Sequence, residues 1–419
     1  MATIVAAKAG NWGTGATWVG GVKPGSGDTA QSDAFIVTID EDVDLSPGGK
    51  IEATSTGSFA ITAARTIVAD IVGTASLGYL LGAVAISHTS GTVAITGNVT
   101  CTTCVAIKIT GAGGTTTILG NVTGGSSGTC PAIQIANGTV SVTGGVTGGT
   151  VNVGTNGIWQ TGGHVIVEGN VAAASVAHGI FIKATCNVTI TGSCTGSNNF
   201  TGLYLDGGSP TVIVTGDVLA GGWGGNGVNN HTTGTVTITG NAIGTSAAGN
   251  SCGVYNYTTG SITLIGNATG GSADTAYGVI NNGAGTFTVS GIATGGSHAT
   301  AYGARNSSTG TLSVGTAVGG SVAGAVGLYG ANAGGLTTFK SIGTSADGNS
   351  AVGGFCKMLV DQTVNSVAFL RSDTGLAYSQ SNDYPAEADV KSGTVYKLTT
   401  LTGTMAGGGG GLWGGRGNW

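Results

Sequence analysis

The chain has 419 residues, of which 84 are glycine, only 5 are proline and 7 % are charged, with a formal net charge of −5. Glycine mixed with Val, Ile and Thr, without a Gly-X-Y period, excludes collagen and suits strands separated by tight turns. Disorder, which needs low hydrophobicity and high charge, is excluded too. No Lys/Arg cluster is present, so a nucleic-acid partner has no electrostatic support.

The opening "MATIVAAKAGNW" has no basic region followed by a long apolar run, so no secretory signal is expected. Residues 1–62 read as an N-terminal cap with the first coils of a repeat. In "NWGTGATWVGGVKPGSGDTA" (11–30), Trp12 and Trp18 are the expected plug of an open end, and "FIVTID" (35–40) is expected to begin the winding. The apolar stretch 73–86 is too short to cross a bilayer, so no membrane insertion is expected.

Residues 63–350 are repetitive. One signature is a strand ending in glycine, at Gly97, Gly120, Gly144, Gly169, Gly192, Gly216, Gly240, Gly266 and Gly291, every 23 to 26 residues. A second lies between, from "VAIKI" at Val105 through "HGIFI" at His178 to "VGLYG" at Val326. A fixed period with short strands and Gly-rich corners predicts an all-β fold, a parallel β-solenoid of about ten or more coils capped at both ends. In "TVTITG", alternation sends Val236 and Ile238 inward and Thr237 and Thr239 outward. Asparagine follows the corner glycine at Asn98, Asn121, Asn170, Asn241 and Asn267, which predicts a stacked ladder at that corner.

In the second signature the outward residues are Lys108, Gln134, Trp159, Phe181, Tyr204, Asn229, Tyr255, Ile280, Arg305 and Tyr329. The aromatic members, Trp159, Phe181, Tyr204, Tyr255 and Tyr329, predict an interaction stripe. It suits packing against a copy of the chain or against the terminal segments, with glycan stacking as the alternative. Outward Thr pairs such as Thr189/Thr191 resemble ice-binding arrays, but Ile166/Glu168, Ile213 and Ile265 interrupt them.

Seven cysteines include an isolated Cys101-x-x-Cys104 without a second pair, so no metal site is expected. Cys104 and Cys130 share a slot in successive coils and predict a disulfide, with a ladder of thiols as the alternative. Only Glu168, Asp206, Asp217, Asp274 and Asp347 are acidic between residues 81 and 350, and no two form a natural pair across a scissile bond. Of the five histidines, His164, His178, His231 and His298 fall at different phases of the repeat. No catalytic residue and no cofactor are expected, and a polysaccharide-cleaving enzyme ranks below the structural and binding readings.

Residues 351–405 read as a C-terminal cap or assembly segment. Residues 406–419 are a Gly-rich tail that ends in the aromatic and basic anchors Leu412, Trp413, Arg416 and Trp419.

The opening pattern Trp12, Thr17, Trp18, Gly20, Gly21, Pro24, Gly27 and Asp28 resembles the start of β-helical surface proteins of bacteria and their phages. The segment Pro385, Asp389, Val390, Gly393, Tyr396 and Thr402 to Thr404 resembles one common in phage structural proteins. The resemblance covers roughly a tenth of the chain and implies a virion or extracellular-surface component. The expected function is a non-enzymatic rod-like subunit of a fibre, spike or filament, with copies of itself, other virion proteins or surface glycans as partners.

Overall fold

The structure is a computed structural model. It describes residues 2–54, 57–61, 65–73, 84–101, 105–126, 130–150, 154–222, 224–245, 251–272, 276–298, 301–321, 327–330, 336–343, 356–358, 368–371 and 377–379.

Each coil contributes three strand segments, which stack into three parallel ladders. The long-strand face carries segments such as His164–Glu168, Thr211–Thr215 and Thr235–Thr239. Past the corner glycine, the short-strand face carries pairs such as Val146–Thr147 and Val171–Ala172. The stripe face carries Ile133–Ile135, Ile158–Gln160, Ile180–Ile182 and their successors. Neighbours pair in parallel: Val140 with Val165, Val146 with Val171, Ile158 with Ile180. The fold is a β-solenoid. Two short 3-10 turns, Gly15–Thr17 and Val19–Gly21, are the helical elements among the described residues.

The repeat length follows the sequence period in the middle, where Val171 pairs with Cys194 (23 residues on) and Ala242 with Ala268 (26 on). It is looser at the ends, with Lys50 against Asp70 (20 on) and Ile71 against Val99 (28 on).

Alternation fills the core. Thr235–Thr239 buries Val236 and Ile238 and leaves Thr235 and Thr239 exposed. Inward positions stack in register, Val212 on Val236 on Ile262 on Phe287 on Leu312, all nearly inaccessible. Burying each such side chain contributes roughly 1.5–3 kcal/mol.

The corners explain the glycine column. Gly240 has φ of 155°, and a Cβ there would lie 2.3 Å from the carbonyl oxygen of Gly216 in the preceding coil. The same collision, with the corner glycine one coil back, recurs at Gly120, Gly192 and Gly266. Only glycine lets successive corners approach this closely. Beside it runs the expected ladder: Asn121 N–H donates to Asn98 Oδ1 at 2.9 Å, and Asn241 N–H to Asp217 Oδ1 at 2.7 Å. Asn267 N–H donates to Asn241 Oδ1 at 3.1 Å, so each side chain satisfies the backbone of the next coil.

The winding begins earlier than the sequence suggests. Thr3–Val5 already pairs with Thr29–Gln31, and Gly10–Asn11 with Val37 and Thr38, so residues 35–40 belong to the second coil. Trp12 and Trp18 are buried edge to face, ring centres 5.0 Å apart, with Trp18 Nε1 donating to the Trp12 carbonyl at 2.8 Å. The chain then crosses back over its own start: Ala6 and Trp18 form an antiparallel bridge, and Ala7 N–H donates to the Thr17 carbonyl. At the other end Ala368–Arg371 pairs antiparallel with Ala377–Ser379, the one antiparallel strand pair among the described strands. Crossing elements of this kind occupy edges that would otherwise recruit another strand.

The expected Cys104–Cys130 disulfide is not formed. Cys130 is a thiol, whereas Cys101 is disulfide-bonded. The register that sets Ile107 against Ile133 brings the two slots together, but stacking supplies only proximity and does not direct two sulfurs at each other. Cys104 itself lies outside the described residues. Cys186, Cys194 and Cys252 are buried thiols, and burial pushes each up to about 12.

Candidate functional site: the aromatic ladder

The stripe residues stand in one register. Lys108, Gln134, Trp159, Phe181, Tyr204, Asn229, Tyr255, Ile280, Arg305 and Tyr329 are successive partners along the stripe face. Alternation explains this, because each follows an inward aliphatic residue or, at Arg305, Ala304.

Their exposure differs from the expectation. Trp159, Phe181 and Tyr204 are half-buried, whereas Tyr255, Ile280 and Tyr329 are buried, at 8 %, 2 % and 6 % exposure. Tyr255 and Ile280 form a small apolar cluster with Cys252 and Tyr277, separate from the main core. The reason lies in the direction of the rings. Phe181 and Tyr204 lie 5.4 Å apart at 34°, and Tyr302 and Tyr329 lie 4.4 Å apart at 8°. Those separations approximate the ~4.8 Å spacing of neighbouring strands. The rings therefore stack along the rod and cover each other's faces.

Two flanking columns, unread in the sequence, complete the ladder. Three residues before the stripe position stand Asn156, His178, Thr201, Asn226, Cys252, Tyr277 and Tyr302; two residues after it stand Lys183, Asp206, His231, Tyr257, Asn282 and Ser307. His178 stacks on Tyr204 at 4.6 Å and meets Phe200 edge-on at 4.8 Å. His231 bridges Tyr204 (5.6 Å) and Tyr257 (4.2 Å), and Tyr257 stacks on Tyr255 at 4.0 Å. Two histidines that fall at different phases of the repeat thus flank one tyrosine. Lys183 lies over Phe181 and 3.9 Å from Asp206, an exposed pair that contributes at most about 1 kcal/mol.

The first flanking column is also a hydrogen-bond ladder. Asn156 Oδ1 accepts the N–H of His178 at 3.0 Å, His178 Nδ1 accepts that of Thr201 at 3.2 Å, and Asn226 Oδ1 accepts that of Cys252 at 2.8 Å. Burial holds the His178 imidazole down at about 4. Burial also lowers His231, against the pull of Asp206. Tyr204 and Tyr255 are pushed up, chiefly by burial.

A third column runs inside the wall, again without a sequence expectation. Asn230 Nδ2 donates to Asn256 Oδ1 at 2.9 Å, Asn256 Nδ2 to Asn281 Oδ1 at 2.9 Å, and Asn281 Nδ2 to Asn306 Oδ1 at 3.4 Å. Asn306 Nδ2 continues to Thr337 Oγ1.

Among the described residues no three His, Cys, Asp or Glu side chains gather as a metal site. The tail anchors Leu412, Trp413, Arg416 and Trp419 lie outside the described residues. Comparison of the chain with protein families, with curated proteins and with solved structures finds no match.

Proposed function

We propose that this chain is a non-enzymatic structural protein, a rod-like subunit of a virion fibre or spike or of an extracellular filament, which assembles with copies of itself. The observation that carries the reading is the aromatic ladder: its rings spend their faces on one another along the rod, as rungs that stiffen a stack. A glycan-stacking platform needs ring faces turned to solvent instead. The low charge and in-register apolar core support the same reading, since they serve geometry throughout. Crossed elements at both ends limit uncontrolled edge-to-edge growth, so assembly runs through defined contacts, for which the tail 406–419 is the candidate joint.

A second reading, a glycan- or receptor-binding spike, has one specific observation in its favour. Tyr257 is 44 % exposed at the outer edge of the stack, and an exposed ring of this kind can accept a sugar face.

The test is the mass and shape of the purified protein by light scattering and negative-stain imaging, with and without residues 406–419. Closed oligomers or long rods that dissociate on truncation are expected. A monomer in both forms overturns the structural reading, and sugar binding at Tyr257 then becomes the question.

A further inference from the structure

We infer that Arg305, with the tyrosines around it, forms a binding site for one oxyanion, best matched by the carboxylate of a small organic acid or sugar acid. The inference is independent of self-assembly. Arg305 points outward on the stripe face between Ile280 and Tyr329 and is half-buried. Its guanidinium lies 5.5 Å from the ring centre of Tyr277 and 5.3 Å from that of Tyr329. Nε donates to Ser307 Oγ at 2.6 Å, and Nη1 donates to Tyr277 OH at 3.1 Å. Two rings and two hydrogen bonds thus fix the plane of the group.

Among the described residues no counter-charge pairs with it. Neither Lys23–Glu41 nor Lys183–Asp206, two ion pairs of the described residues, involves Arg305. Among the described residues Nε and Nη1 are the guanidinium atoms with protein acceptors, which leaves Nη2 at the far end of the fork for a ligand. A half-buried cation has lost part of its hydration, and ring quadrupoles return only part of that cost. A planar carboxylate would meet the free fork with charge-assisted hydrogen bonds. The fork is also pre-positioned, so little side-chain entropy remains to be lost on binding.

The surroundings suit an oxyanion. Tyr302 and Tyr329 stack beside the guanidinium, and burial pushes both phenols up, so they remain O–H donors at neutral pH. The same coils carry an open cleft of about 450 Å³, whose lining includes Gly270, Gly271, Ser272, Gly295, Gly296 and Ser297. Ser272 and Ser297 each precede a ladder tyrosine, Tyr277 and Tyr302, by five residues.

The experiment titrates the full chain with acetate, galacturonate and the neutral sugar galactose, following the Arg305 Nε–H resonance by NMR. That resonance is assigned by its loss in R305K. Saturable, salt-sensitive shifts with acetate and galacturonate, and none with galactose, are expected. Equal affinities identify any carboxylate as ligand, tighter galacturonate a sugar acid, and both outcomes support the site. Followed in the variants through the backbone amide resonances of residues 304–307, binding at least about tenfold weaker in R305Q is expected, as for loss of a charged hydrogen-bond partner. No saturable shift, or equal affinity in R305Q, overturns the proposal. So does failure of all free anions together with an altered oligomeric state in R305Q, because the carboxylate then belongs to a second copy. Should R305Q not fold, the wild-type titration and R305K, which keeps charge without the planar fork, decide alone.

Discussion

At the scale of the residue, His178 stands where other coils use an amide. Asn156 and Asn226 accept a backbone N–H of the following coil through Oδ1, and His178 does so through Nδ1. An amide oxygen accepts at any pH. An imidazole nitrogen loses its acceptor when protonated. The folded group titrates at about 4, against 6.5 for an ordinary histidine. Between those values the unfolded chain binds a proton that the folded chain refuses, so stability rises with pH across the window. The stabilising contribution is complete above 6.5 and is lost as pH falls toward 4, a change on the order of 3 kcal/mol. The charged groups nearest this stack are Lys183 and Asp206, which pair with each other; Tyr204 lies against the imidazole, and His231 lies on the far side of Tyr204. His178→Asn is expected to flatten the dependence of melting temperature on pH between 7 and 4, from a lower starting point at pH 7 because the ring contacts with Tyr204 and Phe200 are lost. Unchanged curvature in the variant would place the acid sensitivity elsewhere.

At the scale of the element, the interior asparagine ladder takes over a column that begins with other residues. In successive coils the position is held by Gln160, Ile182, Leu205, Asn230, Asn256, Asn281 and Asn306. Each amide has exchanged water for its neighbours, so a gap in the middle leaves buried groups unsatisfied on both sides. Asn256→Ala is expected to destabilise by about 2–4 kcal/mol in denaturant melts, and Asn256→Leu by a similar amount although leucine fits the column at Leu205. A neutral Asn256→Leu would mean that packing, not amide pairing, holds these coils together. This ladder was not legible in the sequence, because Asn beside Gly and Thr reads as a turn residue. The strands were legible wherever aliphatic residues alternate with threonine, as at Thr235–Thr239. The first coil was not, because Gly10–Asn11 carries no strand propensity and takes its extended form from pairing with Val37 and Thr38. The stripe was legible as a register but not as a surface. Alternation fixes which side of the wall Tyr255 and Tyr329 take, whereas side-chain torsions lay each ring along the rod.

At the scale of the whole molecule, each coil touches only its neighbours, so stability is close to a sum of coil and interface contributions. Damage should therefore stay local. The corner column offers a sharp test, because successive backbones meet there without an intervening side chain. In Gly240→Ala the added Cβ would sit 2.3 Å from the Gly216 carbonyl oxygen, on a backbone at φ of 155° that L-residues rarely adopt. The coil must then shift away from the one before it. That costs about 3 kcal/mol or more, and it weakens the neighbouring bond from Asn241 N–H to Asp217 Oδ1. Hydrogen exchange is expected to show lost protection in the coils from Gly216 to Gly266, with the coils from Val37 to Ile71 unaffected. Thr239→Ala, at an exposed position in the same coil, should stay within about 0.5 kcal/mol of the wild type. Loss of protection along the entire chain in Gly240→Ala would mean that the rod unfolds as one cooperative unit. The ladders on its outside and inside would then couple the coils more tightly than nearest-neighbour stacking allows.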